Sequence, residues 1–320
     1  MEKKIIAIAN GKGGVAKTTT TFQVGWTLAN MGFKTLVVDC DAQCNLTQSF
    51  AMENEIEFPE NIFKSLVNKT VPFPYGVNEN LSVVTANPEL CNLDKQLLND
   101  SFAVMRLPGI LAPLREYYDY ILLDCPPNLD TTIVRGCIYA ADYLIVPISG
   151  DYSLRGRRDM ISLFNLINSE IKEIFHSDND TKLLGYLMTR SFPKQIEWKK
   201  TLYDLRQEVS DNLIFSNIIT ERAHVRKCQS AHIPVSAFKK TIKGRVVVDK
   251  GVNECVLEFC NVTQEIIDRI HWLDSGEKLE DSLPESCQER TYKYPEYSEI
   301  EELVIKQKKE SLENSDNNLH

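Results

Sequence analysis

The chain has 320 residues, 43% hydrophobic and 25% charged, which excludes a wholly disordered or fibrous protein. Lys and Arg total 36 against 45 Asp and Glu, and the net charge of −9 argues, taken whole, against a general nucleic-acid binder. The average hides a division: residues 1–250 carry 29 basic and 28 acidic side chains, residues 251–320 carry 7 and 17, and residues 182–250 alone carry 14 and 6.

Short apolar runs alternate with helical patterns along the chain. Strands are expected at 4–9, 34–39, 81–85, 119–124, 143–148, 183–189 and 213–219. Helices are expected near 17–31, 89–98, 102–117, 130–140, 153–176, 194–211 and 254–273. Continuous apolar strands alternating with helices indicate an α/β fold, a mostly parallel twisted sheet covered by helices on both faces. One domain is expected over 1–273. Residues 274–320 are charged and poor in large aliphatics, and read as an acidic, mostly disordered tail with one helix at 298–313.

The longest apolar stretch, 133–148, is interrupted by Arg135 and Asp142. A spanning helix needs about 20 mostly apolar residues, so no membrane segment is expected. The N-terminal apolar run is too short for a secretory signal. Nine cysteines, scattered and without a C-x-x-C, read as buried reduced thiols of a cytoplasmic protein.

The strongest motif follows the first strand: Asn10-Gly11-Lys12-Gly13-Gly14-Val15-Ala16-Lys17-Thr18-Thr19. A strand, a glycine-rich turn, Lys-Thr and a helix form the P-loop arrangement, which gives the fold class as a three-layer P-loop NTPase. Glycines let backbone N–H groups converge on phosphate, and the helix N-terminus adds its positive end. Lys17 is expected on the β- and γ-phosphates, the Thr18 hydroxyl on Mg²⁺ and Thr19 at the α-phosphate. Ala16 stands where the usual motif has glycine.

Two further strands end in acids. The second ends Asp39-Cys40-Asp41-Ala42-Gln43-Cys44-Asn45, with its two carboxylates at i and i+2 pointing toward one crevice. The fourth ends Leu122-Leu123-Asp124-Cys125-Pro126-Pro127, the Walker B form, which places Asp124 near Mg²⁺.

Lys12 marks the loop as a deviant Walker A motif, and here the chain resembles the ParA/MinD/nitrogenase-iron-protein superfamily of dimerising ATPases. The likeness to ParA proteins covers about 1–272. It is specific over the first 130 residues and suggestive afterwards, where Ile219-Thr220-Glu221-Arg222 through Cys228 resembles a family segment. Ala42 departs from the proline usual in ParA proteins. The resemblance implies that Lys12 reaches a partner's nucleotide in an ATP-bound sandwich homodimer. It implies that Asp41 activates water and that Asp39 supports the Mg²⁺ shell. It further implies nonspecific DNA binding by the basic second half, and stimulation by a ParB-like adaptor, in a nucleoid-associated cytoplasmic protein. The DNA candidates are Arg190, Lys199, Lys200, Arg222, Arg226 and Lys227, with Lys194, Lys239, Lys240, Lys243 and Arg245 in the same basic block. The domain is expected to begin at residue 3 with no helix-turn-helix ahead of it, leaving site-specific recognition to the adaptor.

Two alternatives use the same ATPase: positioning of a protein cargo, or a MinD-like association with membrane. The second needs a basic amphipathic helix, whereas 298–313 carries several glutamates. A cluster carrier would need bridging cysteines that Cys40, Cys44 and Cys125 supply poorly.

Overall fold

The computed structural model describes residues 3–50, 59–150, 152–174, 180–238, 240–242, 245–247 and 250–288. A seven-stranded sheet has the order β3-β4-β2-β5-β1-β6-β7. Its strands are β1 (Lys4–Ile8), β2 (Thr35–Asp39), β3 (Tyr75–Gly76), β4 (Leu81–Val84), β5 (Tyr120–Asp124), β6 (Tyr143–Ile148) and β7 (Lys182–Met188). All pairings are parallel except β3 with β4. β1, β2, β5 and β6 are buried along their whole length, which is why they read as unbroken apolar runs.

Two apolar cores cover the sheet's faces. One holds α1 (Lys17–Asn30) and α10 (Lys250–Asp274), with Phe22, Leu28, Phe259 and Ile266 buried against Ile6, Val37 and Leu122. The other holds α5 (Arg106–Leu111), α6 (Thr132–Ala140) and α7 (Tyr152–Ile174) against Ile5, Leu36 and Leu144. The expected three-layer α/β architecture is therefore present.

Three expectations are corrected. The segment 213–219 is not a strand. Only isolated bridges join Tyr186 to Ile214 and Ser191 to Thr220. Its backbone groups are divided between β7, where the Phe215 and Ile219 N–H groups donate to the Tyr186 and Met188 carbonyls, and side chains of α10. Arg269 donates to the carbonyls of Asn212, Ile214 and Leu184 at 2.9–3.0 Å, and Glu265 accepts from the N–H groups of Ser216 and Asn217. The expected helices at 89–98 and 102–117 are broken. The first is a 3₁₀ turn, Pro88–Asn92, running into α4 (Leu93–Gln96). The second is 3₁₀ at Ala103–Met105, α5, then 3₁₀ at Ala112–Glu116, where Pro113 removes the N–H that a continuing α-helix needs. Finally, the tail does not begin at 274. α11 (Glu285–Gln288) follows against α10, and Leu279, Leu283 and Cys287 are buried in the same core that holds Leu202 and Leu205 of α8 (Ile196–Arg206). The helix expected at 298–313 lies outside the described residues.

Sequence patterning also missed α2 (Asn45–Phe50), α3 (Ile62–Asn68) and α9 (Ala223–Ser230), and a hairpin of β8 (Lys240–Ile242) and β9 (Arg245–Val247). Lys239 and Lys243 lie outside the described residues. Seven cysteines are buried, Cys260 is half-buried, Cys91 is exposed, and all nine are free thiols.

Arg269 and Glu265 are nearly solvent-free, at 0% and 2% exposure, and bonded to each other at 2.9 Å. Removing one member of such a pair strands the other charge, which costs about 3–5 kcal/mol. Arg269→Ala should therefore lower stability by about that amount, read as a fall in the urea midpoint with an unchanged slope.

Candidate functional site

The site lies at the carboxyl ends of β1, β2, β5 and β7, where a parallel sheet leaves a crevice. The loop 10–16 leaves β1 and turns into α1 through two left-handed residues, Gly14 at φ 78° and Ala16 at φ 61°. A side chain is uncommon at positive φ, so Ala16 holds a conformation that glycine adopts without strain. Asn10 anchors the loop's start. Its amide donates to the Pro147 carbonyl at 2.8 Å, and its Oδ1 accepts from the Lys12 N–H at 2.9 Å. Gly156 on α7 presses against this turn. A Cβ there would sit 2.5 Å from Asn10 Oδ1 and 2.7 Å from the Lys12 nitrogen.

Lys17 is 7% exposed and aims inward. Its Nζ donates to the carbonyls of Asn10 at 3.1 Å and Lys12 at 3.0 Å. Burial lowers its affinity for a proton, opposed by the nearby charges of Asp124 and Asp41. Lys12, by contrast, is exposed.

Asp39 and Asp124 are register partners on β2 and β5. Both are buried, at 0% and 1% exposure. Asp39 is fully employed by the loop that follows it. Its Oδ2 accepts from the Thr47 N–H at 2.8 Å and the Thr47 hydroxyl at 2.7 Å, and its Oδ1 accepts from the Asp41 N–H at 3.1 Å. Burial nevertheless pushes its carboxyl up to about 6. Asp124 differs. Neither of its oxygens makes a well-formed hydrogen bond among the described residues. Burial holds its carboxyl well above the usual carboxylate range, with Asp39 adding to the rise, while the Thr18 hydroxyl and Lys17 oppose it. Asp41, half-buried, caps its own turn by accepting from the Gln43 N–H at 2.9 Å.

The structure thus gathers Lys17, Asp39, Asp41, Asp124 and Thr18 around one crevice. Thr19 turns away toward α9 and donates to Gln229 Oε1 at 3.3 Å. Beside it a cavity of about 280 Å³ opens between the loop and α9, lined by Ala16, Thr19, Glu221, Arg226 and Gln229.

The basic candidates are not brought together as one free surface. Arg222 is spent on Thr220, Glu254 and Glu258 at 2.7–3.0 Å. Arg190 pairs with Glu221 at 2.9 Å and donates to the Gly14 carbonyl at 3.0 Å. Arg226, 70% exposed, pairs with the same Glu221 at 3.2 Å. Lys227 is exposed on α9, and Lys199 and Lys200 are half-buried on α8.

Sequence reading missed Asn10 as an anchor, Thr47, Thr189, Gly156 and Gln229. Thr189 carried a usable signal: it ends a strand at the sheet's carboxyl edge, and its hydroxyl donates to the Val15 carbonyl at 2.9 Å. Gly156 and Gln229 carried none, because they meet the loop only through the fold.

A glycine-rich loop with a buried lysine, a following helix and an acid on the neighbouring strand define a P-loop nucleotide-binding protein. The model of the family described as "AAA domain" matches residues 3–177, and the chain belongs to that family, which comprises P-loop ATPases. It is similar to the chromosome partitioning protein ParA of Myxococcus xanthus, 28% identical over 246 residues, covering 75% of this chain and 83% of that protein. The resemblance to ParA-type partition ATPases drawn from the loop motif therefore holds. Among solved structures, the fold is similar to an ATP complex of a single-substitution variant of Cyanothece McdA, with TM-score 0.67, 22% identity and coverage of 87% of this chain and 98% of that one. It is also similar to cobyrinic acid a,c-diamide synthase from Mycobacterium smegmatis with bound ADP and magnesium, with TM-score 0.64, 24% identity and coverage of 86% and 97%. Among the described residues no helix is long and apolar enough to cross a membrane.

A buried acid whose proton affinity is raised by folding weakens the fold once pH climbs above its unfolded value, near 3.9. Below that value the cost vanishes. Asp124→Asn should therefore stabilise the protein without ligand by on the order of 1 kcal/mol, or about 2–4 °C in Tm. The gain should be small at pH 4 and grow as pH rises above it, measured by thermal melts across pH.

Proposed function

We propose that this protein is a Mg²⁺-dependent ParA-type ATPase that partitions or positions DNA. The observation that carries the reading is the buried Asp124 carboxylate, neither oxygen of which makes a well-formed hydrogen bond, beside the Thr18 hydroxyl and Lys17. A buried carboxylate is costly unless a cation or hydrogen bonds compensate it. The residues present fit a nucleotide-bound Mg²⁺, with Thr18 and Asp124 to hold it. Bound there, the ion would neutralise phosphate charge and orient the terminal phosphoryl group.

This chain's own residues do the rest. Loop amides 13–17 cradle the phosphates, while the Gly11 and Lys12 N–H groups stay on Gly156 and Asn10, and Lys17 leaves the Asn10 and Lys12 carbonyls to meet them. Asp39 acts one step back, holding the 40–47 turn through Thr47 and the Asp41 N–H. That turn presents Asp41 to orient the attacking water. Lys12, exposed at the loop's rim, reaches the nucleotide of a second copy, so that hydrolysis requires a homodimer. The cavity beside Thr19 receives the sugar and base. Lys227, exposed on α9, and Arg226, 70% exposed although paired with Glu221, lead the candidates for DNA phosphate, with Lys199 and Lys200 on α8. A ParB-like adaptor supplies stimulation and cargo specificity.

The dimer requirement and the DNA requirement are tested separately. Specific ATPase activity should rise with protein concentration, and Lys12→Ala should lose about a thousandfold in kcat while still binding ATP. Lys17→Ala should lose nucleotide binding. Activity per protomer that is independent of concentration, together with an active Lys12→Ala variant, would remove the trans role. DNA retention should need ATP rather than ADP and fall steeply with salt, in the full chain and in a 1–288 truncation. Salt-insensitive or nucleotide-independent retention in both would direct the reading to a protein cargo.

A further inference from the structure

The phosphate loop has an outer rim as well as an inner one. When its N–H groups turn inward, its carbonyls turn outward and need partners of their own. Lys17 takes those of Asn10 and Lys12, and the Thr20 N–H takes that of Ala16 at 2.9 Å. The two at the apex belong to Gly14 and Val15. They are held by consecutive residues at the end of β7: Thr189 donates to Val15 at 2.9 Å, and Arg190 Nη1 donates to Gly14 at 3.0 Å.

Arg190 is built into this role. Its backbone is left-handed, at φ 46°, and its neighbours fix it there, with Thr189 N–H donating to Ile148 at 2.8 Å and Ser191 N–H to Ile219 at 2.9 Å. Its guanidinium is oriented by Glu221, which accepts from Nε at 2.9 Å with its other oxygen on Arg226 at 3.2 Å. Glu221 is 10% exposed, so this bond is sheltered from water on the carboxylate side. A planar guanidinium donates to the carboxylate and the carbonyl at once, which an ammonium does not do in a fixed geometry.

We infer that Arg190, oriented by Glu221, is a positioning residue for nucleotide binding: it fixes the Gly14 carbonyl outward and so presets the loop amides that receive phosphate. This rests on the nucleotide reading above. The contact is to loop backbone at the side away from Asp41 and Asp124, so ADP and ATP should depend on it equally.

The test is the affinity of the full chain for Mg²⁺·ADP and Mg²⁺·ATP, measured by titration calorimetry. Arg190→Ala should weaken both about tenfold, by the same factor, consistent with one lost charge-assisted hydrogen bond. Arg190→Lys should not restore the loss. Glu221→Gln, which keeps shape and removes charge, should weaken both nucleotides less, and its effect should not add to that of Arg190→Ala. Wild-type affinity in Arg190→Ala, full rescue by lysine, or a loss for ATP alone would each overturn the assignment. If Arg190→Ala fails to fold, Glu221→Gln carries the test alone, and unchanged affinity there would overturn it. A wild-type protein that binds neither nucleotide would instead count against the functional reading.

Discussion

Two carboxylates lie side by side inside this protein, and the site is organised around keeping them there. Asp39 and Asp124 are paired by the β2–β5 register and shut away from water. The fold answers each differently. Asp39 receives three hydrogen bonds and becomes the keystone of a turn. Asp124 makes no well-formed hydrogen bond, and the Thr18 hydroxyl and the charge of Lys17 offset only part of the cost of its burial. Of these two carboxylates, the one that folding leaves less satisfied is the one on which the proposed chemistry depends, as expected where stability is given up for function.

The phosphate loop depends on the same economy of partners. In the proposed reading amides 13–17 receive phosphate, and the loop's outward groups are matched elsewhere: Asn10 to Pro147, Val15 to Thr189, Gly14 to Arg190. These partners come from β6 and the two residues after β7, so the loop's shape is set from the β7 edge of the sheet. α7 contributes by absence. At Gly156 it offers no Cβ, and the helix closes directly on Asn10 and Lys12.

Much of this was legible in the sequence, for a physical reason. Strands buried on both faces must be apolar throughout, so β1, β2, β5 and β6 announced themselves, and an acid ending such a run had to face the crevice. The loop was legible because its chemistry is local. What was not legible was decided at long range. The run 213–219 has strand composition, yet Arg269 and Glu265, about fifty residues later, take the backbone groups of Ile214, Ser216 and Asn217 and interrupt its pairing with β7. Arg190 and Arg222 looked like phosphate ligands by charge, but Glu221, Glu254 and Glu258 claim them. Charge counts along a chain do not reveal such pairing. The acidic end likewise begins with buried Leu279, Leu283 and Cys287, a spacing too short to stand out as periodicity.

The central claim is that Asp124 holds its proton more tightly than an ordinary carboxylate until a cation arrives. Titration calorimetry of Mg²⁺·ATP near pH 6, repeated in buffers of differing ionisation enthalpy, measures this directly. The account predicts net proton release from the wild-type protein on binding, and a smaller release from Asp124→Asn. Proton uptake, or the same release from both proteins, would contradict it.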